Sequence, residues 1–331
     1  MRKTEITKSN ANRNTILLIA ALAAVYIIWG STYLAIKYAI ETLPTFLMAG
    51  TRFLAAGAVL FAVGRFSKDY EKPKLIYWRT SFIVGALLLL GGNGLVVLAE
   101  HYISSGLAAL LIATEPFWIV LISWLMMKKS RPNWRVALGL LIGFVGVLLL
   151  IGANGFSSEN GNGQLIGTVL IIAATLAWAS GSLYGLSAPA PKSALLTAGM
   201  QMLSGGFLLL LVGTLTGEWT QFNIAEVSSN SWIALAYLTV FGSIIGFTAY
   251  SWLLKNVEPS IASTYAYVNP VIAVILGWAI AGESLTGQML VGAGIIVGSV
   301  VLITSQGKSE SEKIHESNTP TRNCKTLSVS A

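Results

Sequence analysis

The stretch Phe82-Ile-Val-Gly-Ala-Leu-Leu-Leu-Leu-Gly-Gly-Asn-Gly-Leu-Val-Val-Leu98 decides the class of fold, because it runs without a single charge. At 1.5 Å per residue a helix of this length crosses most of the ~30 Å hydrocarbon core of a bilayer. Comparable apolar runs lie on both sides of it. Taken from the N-terminus they occupy about residues 16–40, 45–64, 80–98, 104–127, 136–152, 164–187, 194–214, 231–254, 260–281 and 287–304. The chain of 331 residues is 54% hydrophobic and 11% charged, with mean hydropathy +0.70, where soluble domains carry roughly 25% charged residues. An ordinary soluble fold is excluded, and the sequence predicts an all-α integral membrane protein with ten transmembrane helices. The first run has no small-x-small cleavage site followed by polar chain, so it is expected to stay as a helix.

The net charge of +7 resembles a nucleic-acid signature until the basic residues are placed. With the N-terminus in the cytoplasm, all 21 Lys and Arg except Lys37 and Arg52 fall in the cytoplasmic tails and loops. The opposite loops, around Glu41, Glu100, Glu159, Glu218, Glu226 and Glu283, contain no Lys or Arg. This is the positive-inside pattern, so both termini are expected in the cytoplasm and nucleic acid is not expected as a partner. Residues 1–14 and 305–331 read as flexible cytoplasmic tails.

The sequence also repeats. An offset of 149 brings Trp29 onto Trp178, Ser31 onto Ser180, Gly50 onto Gly199 and Gly57 onto Gly206, with Arg52 on Gln201. Further along, an offset of 154 brings Gly92 onto Gly246, Ala108 onto Ala262, Pro116 onto Pro270 and Trp124 onto Trp278, with Glu115 on Asn269. Each half, 16–152 and 164–304, holds five spans. An odd number sends the second half into the membrane from the other side, so the two five-helix repeats are expected to be inverted, as in transporters that rock around a midplane site. Spans one, two and four with spans six, seven and nine would line such a site. A duplicated membrane scaffold without transport is the alternative.

Several strings are recognisable: Tyr26-Ile-Ile-Trp-Gly-Ser-Thr-Tyr33, Met48-Ala-Gly-Thr-Arg52-Phe-Leu-Ala-Ala-Gly57, Gly92-Asn-Gly94 and Ala99-Glu-His101 in the first half. The second half has Val240-Phe-Gly-Ser-Ile-Ile245, Ser263-Thr-Tyr-Ala-Tyr-Val-Asn-Pro270 and Gly282-Glu283. Over about residues 16–304 the chain resembles the EamA family of the drug/metabolite transporter superfamily, particularly its YedA-like members. The resemblance implies a ten-helix inner-membrane carrier with one EamA unit per half. It also implies export of amino acids or related small metabolites, although a fold by itself does not fix a substrate.

Charged residues inside spans cost about 2.5–3.5 kcal/mol each on insertion scales and call for a reason. Lys37 lies about four residues, or ~6 Å, from the end of span one, where its stem could snorkel to the interface. Trp29, Tyr33 and Lys37 recur at every fourth position and share a helix face. Arg52 lies ~12 Å and Glu115 ~15 Å below the same membrane face. They are expected either to form an ion pair across spans two and four or to line one cavity together; a pair that only fixes packing is the competing reading. Glu115-Pro116 and Asn269-Pro270 place a polar side chain before a proline, and backbone opened in this way is tolerated at membrane depth where it lines protein or a watery cavity. Asn93, Trp178, Gln201, Tyr250, Tyr265 and Tyr267 complete the candidates for a substrate cavity. Glu100 and His101 lie at the outer boundary, where solvation accounts for them; a proton-coupling role is the competing reading. Gly139-x-x-x-Gly143 and Gly294-x-x-x-Gly298 permit close helix approach, within the chain or in a homodimer.

No catalytic residues, cofactor or metal are expected. The one cysteine, Cys324, and the two histidines, His101 and His315, make no cluster, there is no nucleotide-binding loop, and the spans contain no aspartate. A membrane-embedded enzyme, the other alternative, would need paired carboxylates, a Ser/His set or a metal site. The expected partners are a small-molecule substrate and the lipid bilayer.

Overall fold

The computed structural model describes residues 2–126, 134–151, 161–256, 265–299 and Leu302, and among these the secondary structure is entirely helical. The elements are α1 (Arg2–Ala39), α2 (Thr45–Gly64), α3 (Leu75–Gly85), a π-helical segment (Ala86–Gly94), α4 (Leu95–Ala99), α5 (Ser105–Ile112), α6 (Glu115–Met126) and α7 (Trp134–Ile151). There follow α8 (Gly161–Ser187), α9 (Ala194–Leu215), the single turn α10 (Glu218–Gln221), α11 (Ser229–Tyr237), a second π-helical segment (Leu238–Ile245) and α12 (Gly246–Asn256). The chain continues as α13 (Tyr265–Ala281) and α14 (Gly287–Ser299). Among the described residues, seven helical stretches are long and apolar enough to cross a membrane: Ile16–Ala39, Thr45–Gly64, Leu75–Ala99, Ser105–Leu125, Gly163–Ser187, Ala194–Leu215 and Ser229–Leu253. Helices α7, α13 and α14 are also apolar and no longer than 18 residues.

Helix starts follow local chemistry. Ser104, Ser193 and Ser228 are extended and accept a hydrogen bond from the backbone N–H of Leu107, Leu196 and Ser231, which satisfies a donor left free in each first turn. At the N-terminus, α1 begins at Arg2, so the polar stretch expected to be a flexible tail continues the helix of the first span. No proline or glycine interrupts it before Gly30. The tail 305–331, Cys324 and His315 lie outside the described residues.

The scaffold centres on α2 against α9, which run antiparallel with their backbones almost touching. Gly50 lies against Leu210, Gly57 against Leu203 and Gly64 against Leu196. A Cβ at Gly57 would sit 2.8 Å from the backbone nitrogen of Leu203, and one at Gly206 would sit 2.8 Å from that of Leu54. Only glycine permits this approach. The contacts cross over between equivalent positions of the sequence repeat, since Gly57 meets the carbonyl of Gly199 and Gly206 meets that of Gly50. These contacts join the two halves of the sequence repeat.

Three long stretches lose α-helical regularity at their middles. Gly91-Gly92-Asn93-Gly94 falls in the first π segment, and Gly242 falls in the second, four residues before Gly246 opens α12. Wider turns of this kind are rare in helices and recur at functional sites. Between α5 and α6 the helix stops at Ala113-Thr114, because Pro116 has no N–H and its ring displaces the carbonyl of Ile112. Pro270, in contrast, is carried inside α13. Gly143 packs on Ser299 within the chain, while a Cβ on Gly294 or Gly298 would meet nothing within 4 Å.

Candidate functional site

Where these irregular segments converge lies a cavity of about 80 Å³. Helix α1 presents Trp29, Thr32, Tyr33 and Ile36, spaced to share one face. Arg52 comes from α2; Gly92, Asn93 and Val96 from the first π segment and α4; Ile112 and Glu115 from the two sides of the α5–α6 break. The facing wall is Ala174, Thr175 and Trp178 of α8, Gly242 and Phe247 around the second π segment, and Tyr265 with Asn269 of α13. The π segments of spans three and eight therefore take part, and α9 contributes no lining residue.

Arg52 is 3% exposed. Its Nε donates to Ser243 Oγ at 3.0 Å and its guanidinium lies 4.3 Å from the centre of the Phe53 ring. Nη1 is buried with no partner. Glu115, 5% exposed, stands in the first turn of α6, where the helix dipole favours a carboxylate. It accepts a hydrogen bond of 3.0 Å from the Tyr265 hydroxyl. Arg52 and Glu115 thus share a cavity wall without forming an ion pair, which is the second of the two arrangements their depths allow. Asn269 Nδ2, in the amide orientation that satisfies its surroundings, donates to the carbonyls of Tyr26 at 3.1 Å and Tyr265 at 3.2 Å. Asn93 Oδ1 and Trp178 Nε1 are buried and unpartnered, like Arg52 Nη1.

The remaining walls are aromatic. Trp29 meets Trp178 edge to face at 6.3 Å, Tyr265 at 5.1 Å and Phe247 at 5.6 Å. Its Nε1 donates to the carbonyl of Gly242 at 3.2 Å, one of the acceptors that the π segment leaves within reach. The two repeat-equivalent tryptophans are held by the other half's glycine: Trp29 packs on Gly246 and Trp178 on Gly92.

Beyond the cavity, the end of the bundle where α1 and α13 finish is tied shut. Glu283 accepts from Lys37 Nζ at 2.9 Å, from the backbone N–H of Ser105 at 3.0 Å and of Gly106 at 3.2 Å, and from Ser105 Oγ at 2.8 Å. Burial alone would raise this carboxyl, but the donors from Lys37, Ser105 and Gly106 outweigh it and hold it below the usual carboxylate range. Glu218 does the same for α2, accepting from the backbone N–H of Phe46 at 3.0 Å and of Leu47 at 2.8 Å. Ser231 Oγ donates to the carbonyl of Tyr38, and Tyr38 donates to that of Ile280. Each of these contacts joins residues of the first half to residues of the second.

Of the residues singled out from sequence, Trp29, Tyr33, Arg52, Asn93, Glu115, Trp178, Tyr265 and Asn269 line the cavity. Lys37 does not; it lies one turn beyond Tyr33 and pairs with Glu283. Tyr250 stands behind the wall, edge-on to Tyr265 at 5.7 Å. Gln201 is placed elsewhere, its carbonyl against Gly85 where α9 meets α3. Tyr267 belongs to α13, but its side chain lies outside those described. His101 is solvated and exchanges a hydrogen bond of 2.8 Å with Thr45. Glu100 is not solvated: it is 8% exposed, and neither oxygen has a partner. Sequence reading passed over Thr32, Thr175, Gly242 and Phe247, which carry no charge and follow no pattern that marks a site.

Comparison with known proteins agrees with this architecture. A family model described as the EamA-like transporter family matches twice, at residues 15–152 and 165–305. The inner membrane transporter YedA of Escherichia coli K12 is 39% identical over 88% of this chain and 92% of its own. Transporter YvbV of Bacillus subtilis is 28% identical over 89% and 93%, and the chloroplastic WAT1-related protein At3g02690 of Arabidopsis thaliana is 22% identical over 89% and 71%. A crystal structure of another protein superposes with a TM-score of 0.59 at 19% identity, covering 89% of this chain and 98% of that one. With the family unit matched over both halves and a relative of this identity along most of its length, the chain belongs to the EamA-like transporter family of membrane transporters.

Proposed function

We propose that this transporter is a secondary carrier in the cell's inner membrane, exporting amino acids or related small metabolites by alternating access. The observation that carries the substrate class is the separation of Arg52 from Glu115. Two buried opposite charges share one cavity, yet they do not neutralise each other, and Arg52 Nη1 has no partner at all. A buried charge left this bare is costly and is relieved by a ligand of opposite sign. A molecule with both a carboxylate and an ammonium group relieves both, the first at Arg52 and the second at Glu115 among the aromatic walls.

Counting α7, α13 and α14 with the seven long spans gives ten, and the odd number per half supports opposed repeats. The exchanged glycine contacts of α2 and α9, and the exchanged tryptophan contacts beside the cavity, favour the same two-fold relation. Loop charge favours the Glu283 end outside and both termini in the cytoplasm. In that orientation the contacts of Glu283, Glu218 and Ser231 close the outer end while the cavity lies beneath them.

The test is protection and efflux. Cells expressing the protein should survive toxic amino acids or their analogues better than control cells and should lose preloaded label faster. Arg52→Ala and Glu115→Gln should abolish both effects at equal expression. Protection confined to compounds lacking either a carboxylate or an amine would refute the proposed substrate class.

A further inference from the structure

At the end of the bundle where α1, α4 and α13 finish, two carboxyl groups are near enough to influence each other, and their surroundings are opposite. Glu283 receives Lys37, Ser105 and Gly106. Glu100 has no hydrogen-bond donor on either oxygen. It caps the C-terminal end of α4, where the helix dipole disfavours an anion. The charged and titratable groups around it are Tyr33 and Lys37 on α1, Arg52 on α2 and Glu283 after α13. The adjacent His101 is turned to Thr45 and solvent. Helix α8, which packs along α4, carries Tyr184 as its one ionisable side chain, near its far end. Burial and the charge of Glu283 push the Glu100 carboxyl well above the usual range, against the weaker pull of Lys37 and Arg52.

We propose that Glu100 is a proton-binding site that governs the outer gate, holding its proton while the Lys37–Glu283 latch is closed and releasing it when the latch opens. The inference rests on the carrier reading and its orientation. Two carboxyls this close, one fully bonded and one stripped of partners, divide into an anion and a neutral acid. Opening the outer end parts Glu283 from Lys37, Ser105 and Gly106 and admits water. The O–H of Glu100 then passes its proton to that water, and the carboxylate formed pairs with the released Lys37 or with Nη1 of Arg52. Closing requires the proton back, since an ionised Glu100 would repel Glu283 and compete for Lys37. The proton therefore acts as a ligand of the closed state.

Spin labels on Glu41→Cys and Ser284→Cys, two exposed positions flanking the latch, in a Cys324→Ser background, report the gate in lipid nanodiscs from about pH 5 to about pH 9, a range above the ordinary Glu value. The otherwise unaltered gate should show a short distance at low pH and a longer one gaining population as pH rises. Glu100→Gln should keep the short distance throughout, Glu283→Gln the long one, and His101→Gln should leave the midpoint unchanged. A distribution independent of pH without the Glu100 change overturns the proposal whether or not the variants fold. Retention of the same midpoint in Glu100→Gln overturns it as well. Two distances in a pH-independent mixture would refute Glu100 alone, whereas one fixed distance together with absence of flux would count against the carrier reading too.

Discussion

Gly57→Ala should destabilise this protein although alanine is the better helix former. The added methyl would lie 2.8 Å from the Leu203 nitrogen, 2.9 Å from Met202 Cβ and 3.1 Å from the Gly199 carbonyl. Ordinary contact begins at 3.4 Å, so the closest approach falls about 0.6 Å short. Its nearest neighbour is backbone of α9, which moves only as a whole helix. Overpacking of this kind costs about 1–3 kcal/mol, and the helix propensity gained returns ~1 kcal/mol. The net loss of up to ~2 kcal/mol corresponds to at most roughly a thirtyfold shift toward the unfolded state. Gly294→Ala supplies the control, because a Cβ there meets nothing within 4 Å. It should leave stability unchanged or raise it slightly. Unfolding by dodecyl sulfate in mixed micelles, followed by circular dichroism, measures both. If Gly57→Ala proves as stable as Gly294→Ala, the backbone contact between α2 and α9 is not what the geometry implies.

Other perturbations separate the site from the scaffold. Arg52→Ala should lower flux at least tenfold while leaving Tm unchanged or higher, because it removes a buried charge whose hydrogen bonding is incomplete; Arg52→Lys should not restore flux, since a point charge cannot replace a planar donor set. Trp29→Phe keeps the ring contacts but loses the bond to Gly242, and should cost about 1 kcal/mol in the same unfolding assay. A double-mutant cycle on Lys37→Met and Glu283→Gln should give a coupling of about 1 kcal/mol or less that falls with salt, because Lys37 is 35% exposed. Glu283 is held below the ordinary carboxylate range, so its contribution is complete above that range and is lost as pH falls through the lowered value. Below about pH 4, under the ordinary Glu value and outside the window in which Glu100 sets the gate, acid should accordingly weaken the latch in wild type and leave Glu283→Gln unaffected, as read by proteolysis or label access at Ser284.

The spans were legible because an apolar stretch of bilayer length has few other meanings, and the glycine and tryptophan repeats because each half packs these residues on the other. Arg52 and Glu115 were legible as cavity residues by their insertion cost. Their relation was not, since depth along a helix says nothing of direction around it. The π segments were also hidden: Gly92-Asn-Gly94 marks a place where the helix can widen, not that it does. Gln201 shows the limit of reasoning from repeats, because it aligns with Arg52 yet lies where α9 meets α3. Glu100 was misjudged for a different reason. Its place at a helix end suggests solvent, and only the folded chain brings α1, α2 and the segment after α13 over it. The same folding gives Lys37 its partner 246 residues away.

Arg52 and Glu115 are proposed to form one substrate site between two opposed halves. Exchange of labelled amino acids across proteoliposomes containing the purified protein tests it most directly. Uptake should be driven by unlabelled substrate inside the vesicles and be lost in both Arg52→Ala and Glu115→Gln while each variant remains folded in the bilayer. Exchange at the wild-type rate in both variants would contradict it.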